Sequence, residues 1–153
     1  MGGHGVDEEY LSTAHVYDPQ ADSWQPLASM ATERAGFATA AAGGKIYVIG
    51  GESIDYDGDG AMATTTEAFD PLLSAWAEVA SMSVKRCNHA TAVVDGKIYA
   101  IGGYDLEGQQ VDSVEAYDPE ANSWQQVAPM PREPDASTRP LPWVASLRER
   151  QRL

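Results

Sequence analysis

Residues 97–119 read KIYAIGGYDLEGQQVDSVEAYDP, and this stretch decides the fold because its landmarks recur elsewhere in the chain. An apolar run ends in the double glycine Gly102-Gly103, and an aromatic residue followed by Asp-Pro comes at Tyr117-Asp118-Pro119. Trp124 and Met130 complete the pattern. A strand, a loop and a turn in this order have the size of one repeating structural unit.

Copies of this pattern occur at residues 45–82 and, from the double glycine onward, at residues 2–30. The tryptophans of the three copies are 52 and then 48 residues apart. A period near 50 residues is typical of repeat arrays and propellers, in which one repeat forms one blade that packs against its neighbours. We expect the repeated glycines to serve close packing or a positive φ and the tryptophans to lie as wedges between blades: Gly50, Gly51, Gly102, Gly103, Trp24, Trp76 and Trp124.

Turn chemistry divides each repeat into four strands, a to d. Gly43-Gly44 and Asp95-Gly96 are two-residue turns that tolerate positive φ and close a tight hairpin between strands a and b. The b strands, residues 45–49 and 97–101, are continuous apolar runs, as expected where both faces of a sheet are covered. Strand c precedes each Asp-Pro pair, and strand d begins at each repeated tryptophan. In such an up-and-down sheet the b–c and d–a loops lie together at one end.

The order of an arginine, an apolar strand, Gly-Gly, a variable loop, Glu-x-Tyr/Phe-Asp-Pro, Trp and Met resembles the kelch motif. The segment from residue 102 to residue 130 is especially similar to blades of the BTB-kelch adaptor proteins, and the resemblance covers about residues 2–131. It implies an all-β, kelch-type β-propeller, usually of six blades, and most often a protein-interaction role. A BTB domain, if the parent protein has one, would lie outside these residues.

The repeats predict an incomplete propeller. Residues 34–85 and 86–131 are whole repeats, whereas residues 1–33 supply only the second half of a blade, because Met1 stands directly before the first double glycine. We therefore expect a fragment of about two and a half four-stranded antiparallel blades. Uncovered sheet faces and unpaired edges of such a fragment favour self-association.

Composition sets further bounds. The chain has 153 residues, 43% of them hydrophobic, and a formal net charge of −13. The single cysteine, Cys87, excludes an intramolecular disulfide framework and favours a reducing, cytoplasmic location. Neither a long apolar segment nor a signal-peptide pattern is present, so we expect no membrane association. The acidity disfavours nucleic acid as a partner.

Residues 132–153 have a different composition from the repeats. Five of the ten basic residues lie there, together with three prolines, whereas residues 1–131 carry 5 basic and 20 acidic residues. Prolines cannot donate the hydrogen bonds of a central strand. We predict that this Pro/Arg-rich tail is disordered or at most a short helix around residues 144–150.

Enzyme chemistry finds little support in the sequence. His4, His15 and His89 fall at three different repeat positions, unlike a copper-oxidase site of this fold family, and Cys87 has no evident base partner for nucleophilic catalysis. We therefore expect a non-enzymatic protein without a cofactor. A fragment of a kelch-fold enzyme of the sugar-epimerase or oxidase type stays an open alternative, because an epimerase of this kind carries no local motif.

A second alternative is a calcium loop at residues 55–60. Asp55, Asp57, Asp59 and Gly60 follow the spacing of an EF-hand loop, whose carboxylates converge on a hard cation. The bidentate acid of the twelfth position is missing, because Glu67 comes one residue late and has a repeat equivalent in strand c. The main expectation is therefore no bound metal.

The loop end of the blades is the expected partner surface. The three b–c loops, residues 4–14, 52–66 and 104–114, hold ten acidic residues and no Lys or Arg. A concentration of one charge steers oppositely charged partners, so we expect a protein partner with a basic peptide segment at this acidic rim. An acidic motif bound by the arginines of the d–a loops is the competing hypothesis. The residues expected to contact a partner, two of them from the resemblance, are Arg34, Lys85, Arg86, Asn88, Tyr104, Asp57 and Asp59.

Overall fold

The computed structural model describes residues 1–6, 9–54 and 60–131. These residues form fourteen strands and no helix, so the described part contains no helix that could cross a membrane. The tail at residues 132–153 and the acids Asp55, Asp57 and Asp59 lie outside the described residues. The strands are β1 Gly3–His4, β2 Tyr10–Leu11, β3 Ala14–Asp18, β4 Ser23–Leu27, β5 Ala38–Ala42, β6 Lys45–Ile49, β7 Glu52–Ile54, β8 Gly60–Met62, β9 Thr66–Asp70, β10 Ala75–Val79, β11 Ala90–Val94, β12 Lys97–Ile101, β13 Val114–Asp118 and β14 Ser123–Val127.

The strands assemble into blades in the predicted order. Strands β5, β6, β9 and β10 form one four-stranded antiparallel sheet, and β11 to β14 form the next. Strands β3 and β4 form a two-stranded sheet with the register of strands c and d. The prediction of an all-β fold built from four-stranded antiparallel blades is confirmed. We call these sheets the first (β3–β4), second (β5–β6–β9–β10) and third (β11–β14) blades.

Two short hairpins inside the b–c loops were not predicted. Strand β1 pairs with β2, and β7 pairs with β8, over two and three residues respectively. Runs this short carry too little alternation to be recognised in a sequence. Residues of both hairpins line the pocket described below.

The tight turns follow the predicted chemistry. Gly43 and Gly44 have φ values of 56° and 75°, and Asp95 and Gly96 have values of 50° and 76°. Two consecutive positive φ values give the hairpin twist that suits adjacent antiparallel strands. At the c–d turn, Asp118 Oδ1 accepts the backbone N–H groups of the two residues after its proline, which fixes the turn.

The main apolar core lies between the second and third blades. Tyr47 and Ile49 of the second blade pack with Ile98, Ala100 and Tyr117 of the third blade. The rings of Tyr47 and Tyr117 meet edge to face with centroids 5.5 Å apart. These residues come from the inner strands b and c, whose continuous apolar runs are therefore buried on the faces that neighbouring blades cover.

The double glycines allow the backbone of one repeat to approach that of the next. A Cβ atom on Gly51 would lie 2.5 Å from the Ala35 carbonyl oxygen, and one on Gly103 would lie 2.5 Å from the Cys87 carbonyl oxygen. Both glycines have φ near +95°, where side chains are rarely tolerated. Steric space and backbone conformation thus both require glycine at this position.

Candidate protein-interaction surface

A buried ion pair anchors each d–a loop to the blade that follows it. Arg34 donates to Glu67 Oε1 at 2.8 Å and also to the carbonyl oxygens of Gly50 and Thr65. Glu67 in turn accepts the backbone N–H groups of Ala31 and Thr32. Burial lowers the pKa of Arg34, although the neighbouring Glu67 carboxylate raises it. A charge taken out of water needs such a complete set of partners.

The same network occurs one repeat later. Arg86 donates to Glu115 Oε2 at 3.0 Å and to the Gly102 carbonyl oxygen, and Glu115 accepts from Ser83 and Val84. The side chains of both arginines are completely buried. Their predicted contact with a partner is at odds with this burial, because the guanidinium groups point into the protein to satisfy the loop carbonyls. The competing hypothesis of an acidic motif at these arginines loses its basis for the same reason.

The other predicted contact residues lie at the surface. Lys85 and Asn88 are exposed on the d–a loop between the second and third blades, and Tyr104 is 42% exposed. Tyr104 exchanges two backbone hydrogen bonds with Cys87, at 3.0 and 3.1 Å. The Asn88 N–H donates to the Gly36 carbonyl oxygen. The structure thus brings Asn88 and Tyr104 together, while Asp57 and Asp59 lie outside the described residues.

Asn88 and Tyr104 line a pocket between the loops of all three repeats. Its volume is about 420 Å³. Tyr10 comes from the first b–c loop, Glu52 and Met62 come from the hairpin β7–β8, and Leu106 comes from the third b–c loop. Among the described residues that line this pocket there is no Lys or Arg, and Glu52 and Asp105 are the carboxylates. We call it the Glu52 pocket, because Glu52 lies beside the buried Cys87 and Met62.

Glu52 is held in place by polar contacts on two sides. Its backbone pairs with Ala35, and Tyr10 Oη lies 3.5 Å from Glu52 Oε2. The buried Cys87 thiol lines the same pocket as Glu52. Burial and then Glu52 raise the pKa of the Cys87 thiol to about 12. The pKa of Tyr10 is raised by the same two causes. A neutral hydroxyl and a neutral thiol therefore lie next to the Glu52 carboxylate.

Glu52 and Tyr10 were not identified as site residues from the sequence. Glu52 occupies the same repeat position as Tyr104 and His4, the first residue after the double glycine. Aligning the three repeats at this position identifies Glu52, whereas Tyr10 sits in a loop without a repeat signal. A family resemblance assigns roles only to residues that match the family motif, and Tyr10 lies outside that motif.

The titratable groups of this region do not form a nucleophile and base. The Cys87 thiol is fully protonated at neutral pH, since its pKa is about 12. Burial, and then the charge of Arg86, lower the pKa of His89 to about 4. Both ring nitrogens of His89 are buried and have no hydrogen-bond partner among the described residues. This arrangement suits packing of a neutral imidazole against the double glycines.

The calcium hypothesis is not supported by Glu67. Glu67, the acid nearest to the missing twelfth position, is a strand β9 residue that is buried and paired with Arg34. No group of three or more His, Cys, Asp or Glu side chains is arranged to hold a metal within residues 1–6, 9–54 and 60–131. The other acids of the hypothesis, Asp55, Asp57 and Asp59, lie outside that part of the chain.

Comparison with known proteins identifies the repeats. The model of the Kelch motif family matches residues 1–31 and 85–131, which together make up about half of the chain. The chain belongs to the kelch-motif family. The two matched ranges hold the first and third copies of the pattern, and the middle copy, with four more residues between its double glycine and its Asp-Pro pair, lies between them. The prediction of a kelch-repeat protein is therefore confirmed.

Several curated kelch-like proteins are similar in sequence. Kelch-like ECH-associated protein 1B of Danio rerio is 40% identical over 99 residues, which is 65% of this chain and 17% of that protein. Kelch-like protein 9 of Mus musculus is 38% identical over 89 residues, covering 58% of this chain and 14% of that protein. This kelch chain thus spans less than a fifth of the length of these relatives.

A solved structure shows the same fold. The structure described as that of YjhT superposes with a TM-score of 0.68 at 16% identity and covers 84% of this chain and 54% of that one. At such a low sequence identity, the superposition shows that the two proteins share a fold and shows nothing about a shared function. The shared architecture of kelch blades is therefore supported by sequence and by structure independently.

Proposed function

We propose that this kelch chain is a non-enzymatic protein-interaction module whose Glu52 pocket and surrounding b–c loops bind a basic segment of a partner protein. The observation that carries the proposal is the pocket itself. An exposed tyrosine, a leucine and a methionine surround a carboxylate, and none of the described lining residues is basic. A Lys or Arg side chain has the apolar stem and the cationic head that such a lining suits.

The loops around the pocket extend this acidic character. Glu9, Asp105, Glu107 and Asp112 belong to the described parts of the b–c loops, and the sequence places further acids beside them. Loops carried at one end of a rigid sheet scaffold are where binding residues gather. Lys85 is the only exposed Lys or Arg that the described d–a loops contribute. Electrostatic steering therefore favours a cationic partner over an anionic one.

The similarity to kelch-like proteins supports the choice of a protein partner. An adaptor role, in which this surface selects a substrate for a larger assembly, is a further step of the same proposal. A kelch-fold enzyme is the second candidate, and the high pKa of Cys87 and the low pKa of His89 weigh against a catalytic role for either group in the Glu52 region.

Peptide binding at two salt concentrations tests the proposal. The probes are a short peptide rich in Lys and Arg and a matched peptide in which Glu replaces those residues. We expect the basic peptide to bind more tightly and to lose affinity as salt is raised, because screening weakens attraction between exposed charges. Charge reversal by Asp57→Lys with Asp59→Lys should slow its association. Tighter binding of the acidic peptide would contradict the proposal.

A further inference from the structure

Neighbouring blades are joined by a hydrogen bond that the chain makes twice with equivalent atoms. Trp76 Nε1 donates to the Ala28 carbonyl oxygen at 2.7 Å, which joins the second blade to the first. Trp124 Nε1 donates to the Ala80 carbonyl oxygen at 2.8 Å, which joins the third blade to the second. In both cases a tryptophan at the start of strand d reaches the residue just after strand d of the preceding blade.

A second contact accompanies the tryptophan at the junction between the second and third blades. Asn122 Oδ1 accepts the Ala80 N–H at 2.9 Å, so that both the backbone N–H and the backbone carbonyl of this alanine are bound. Tyr117 Oη donates to the same side-chain oxygen at 2.8 Å and holds the Asn122 side chain in place. Tyr117, Asn122 and Trp124 form the donor half of the junction, and Ala80 with its flanking Val79 forms the acceptor half.

The first blade carries an unused donor half. Tyr17 Oη donates to Asp22 Oδ1 at 2.6 Å, and Asp22 has a φ of 48°, against 46° for Asn122. The rings of Tyr17 and Trp24 lie 5.2 Å apart, as the rings of Tyr117 and Trp124 do at 5.1 Å. Trp24 is nevertheless 68% exposed. The side chains are thus arranged for a junction that none of the blades the structure describes completes.

The third blade carries an unused acceptor half. Ala128 stands at the repeat position of Ala28 and Ala80 and is exposed. Met130 is 39% exposed, whereas Met82, its equivalent in the second blade, is 4% exposed because the third blade covers it. Val127 is also exposed, whereas its equivalent Val79 packs against the core. Among the described residues, nothing covers this apolar face or binds the Ala128 backbone.

We propose that two copies of this chain associate head to tail, with Trp24 of each copy donating to the Ala128 carbonyl oxygen of the other and Asp22 accepting the Ala128 N–H. The two open faces are complementary because they are the two halves of a junction already made inside the chain. A contact between different faces is heterologous, and it closes into a ring when the rotation fits. Two copies supply six blade positions, which lies within the four to eight blades of known propellers.

Sedimentation velocity of the full chain, at several protein concentrations, tests the proposal with two variants. Trp24→Ala removes the donor half, and Ala128→Arg blocks the acceptor half. We expect the unaltered chain to sediment as two copies and each variant alone to associate about tenfold or more weakly, because buried aromatic anchors dominate such contacts. An equimolar mixture of the two variants should associate more strongly than either alone, since one copy keeps Trp24 and the other keeps Ala128.

The mixture separates the head-to-tail contact from other forms of association. If Trp24 bound Trp24 of a second copy, Ala128→Arg would associate as the unaltered chain does, and the proposal would be wrong. A monomeric unaltered chain, or variants that associate normally, would also overturn it. Leu72→Gln with Leu73→Gln is the matched control, because these leucines are 94% and 75% exposed but lie on neither face.

Folding of the variants is checked by far-ultraviolet circular dichroism. If Trp24→Ala fails to fold, Trp24→Phe keeps the ring contact with Tyr17 and removes only the N–H donor, and a weaker association of this variant is the expected result. The Glu52 pocket shares no residue with either face, so failure of this proposal leaves the proposed function intact, and the reverse also holds.

Discussion

Arg34 and Glu67 form a salt bridge of 2.8 Å in which neither side chain is more than 2% exposed. The pair closes the d–a loop onto strand c, and Arg86 and Glu115 repeat it in the next blade. This relationship explains why an arginine and a glutamate recur in the repeat pattern. It also explains why the arginines are unavailable to a partner.

Breaking the buried pair should destabilise the fold. Glu67→Gln leaves the Arg34 guanidinium buried without its counter-charge, and we expect the free energy of unfolding in urea to fall by about 3–5 kcal/mol. Lys97→Met is the control, because Lys97 and Asp118 form an exposed pair whose loss should change stability by about 1 kcal/mol or less. Equal effects of the two variants would contradict this role of the buried pair.

Stability should decrease as the pH falls below 6.5 because of His89. Burial lowers its folded-state pKa to about 4 from the usual value of 6.5, so between these values the unfolded chain binds more protons than the folded chain. The contribution is fully present above pH 6.5 and is lost as the pH falls through 4, with a total of about 3 kcal/mol. His89→Phe, which places the residue of the equivalent position Phe37 there, should reduce this dependence in urea titrations at pH 7 and about pH 4.5. An unchanged pH slope would be inconsistent with a buried neutral imidazole.

Gly103→Ala should be more damaging than Gly96→Ala. Both glycines have positive φ, but a Cβ on Gly103 would lie 2.5 Å from the Cys87 carbonyl oxygen, whereas one on Gly96 meets nothing within 4 Å. We expect a loss of about 1 kcal/mol from backbone strain at Gly96 and at least about 2 kcal/mol more at Gly103, where the clash adds to it. Thermal unfolding of both variants measures the difference, and similar losses would show that close approach is unimportant.

Cys87 should be unreactive in the folded protein. With a thiol pKa of about 12, very little thiolate exists at pH 8, and the side chain is buried. We expect alkylation by iodoacetamide to be slow in buffer and fast in urea. Rapid labelling of the folded chain would reopen the enzyme alternative.

Much of the fold could be predicted because it rests on local signals. The b strands, residues 45–49 and 97–101, have the predicted bounds, since an apolar run between a glycine turn and a double glycine leaves little freedom. The hairpins β1–β2 and β7–β8 were missed because their pairing depends on loop contacts and not on periodicity. The buried arginine–glutamate pairs were not predicted, because they depend on packing between strand c and the d–a loop that precedes its blade.

The candidate site was predicted only in part. Asn88 and Tyr104 came from the resemblance, and the structure brings them into one pocket. Glu52 was visible only as one acid among ten in the loops, because charge counts do not show which carboxylate lies beside a buried thiol and a tyrosine hydroxyl. The pocket is formed by loops of three repeats, so its residues are distant in sequence and share no motif.

Affinity of the Lys- and Arg-rich peptide for Glu52→Gln tests the central claim most directly. Glutamine keeps the shape of the side chain and removes its charge, and Glu120→Gln, at an exposed turn away from the pocket, is the matched control. Removing one member of a partly desolvated charge pair should weaken binding about tenfold or more in fluorescence anisotropy, while the control binds as the unaltered chain does. Equal affinities of Glu52→Gln and the unaltered chain would contradict the claim that this pocket receives the basic residue of a partner.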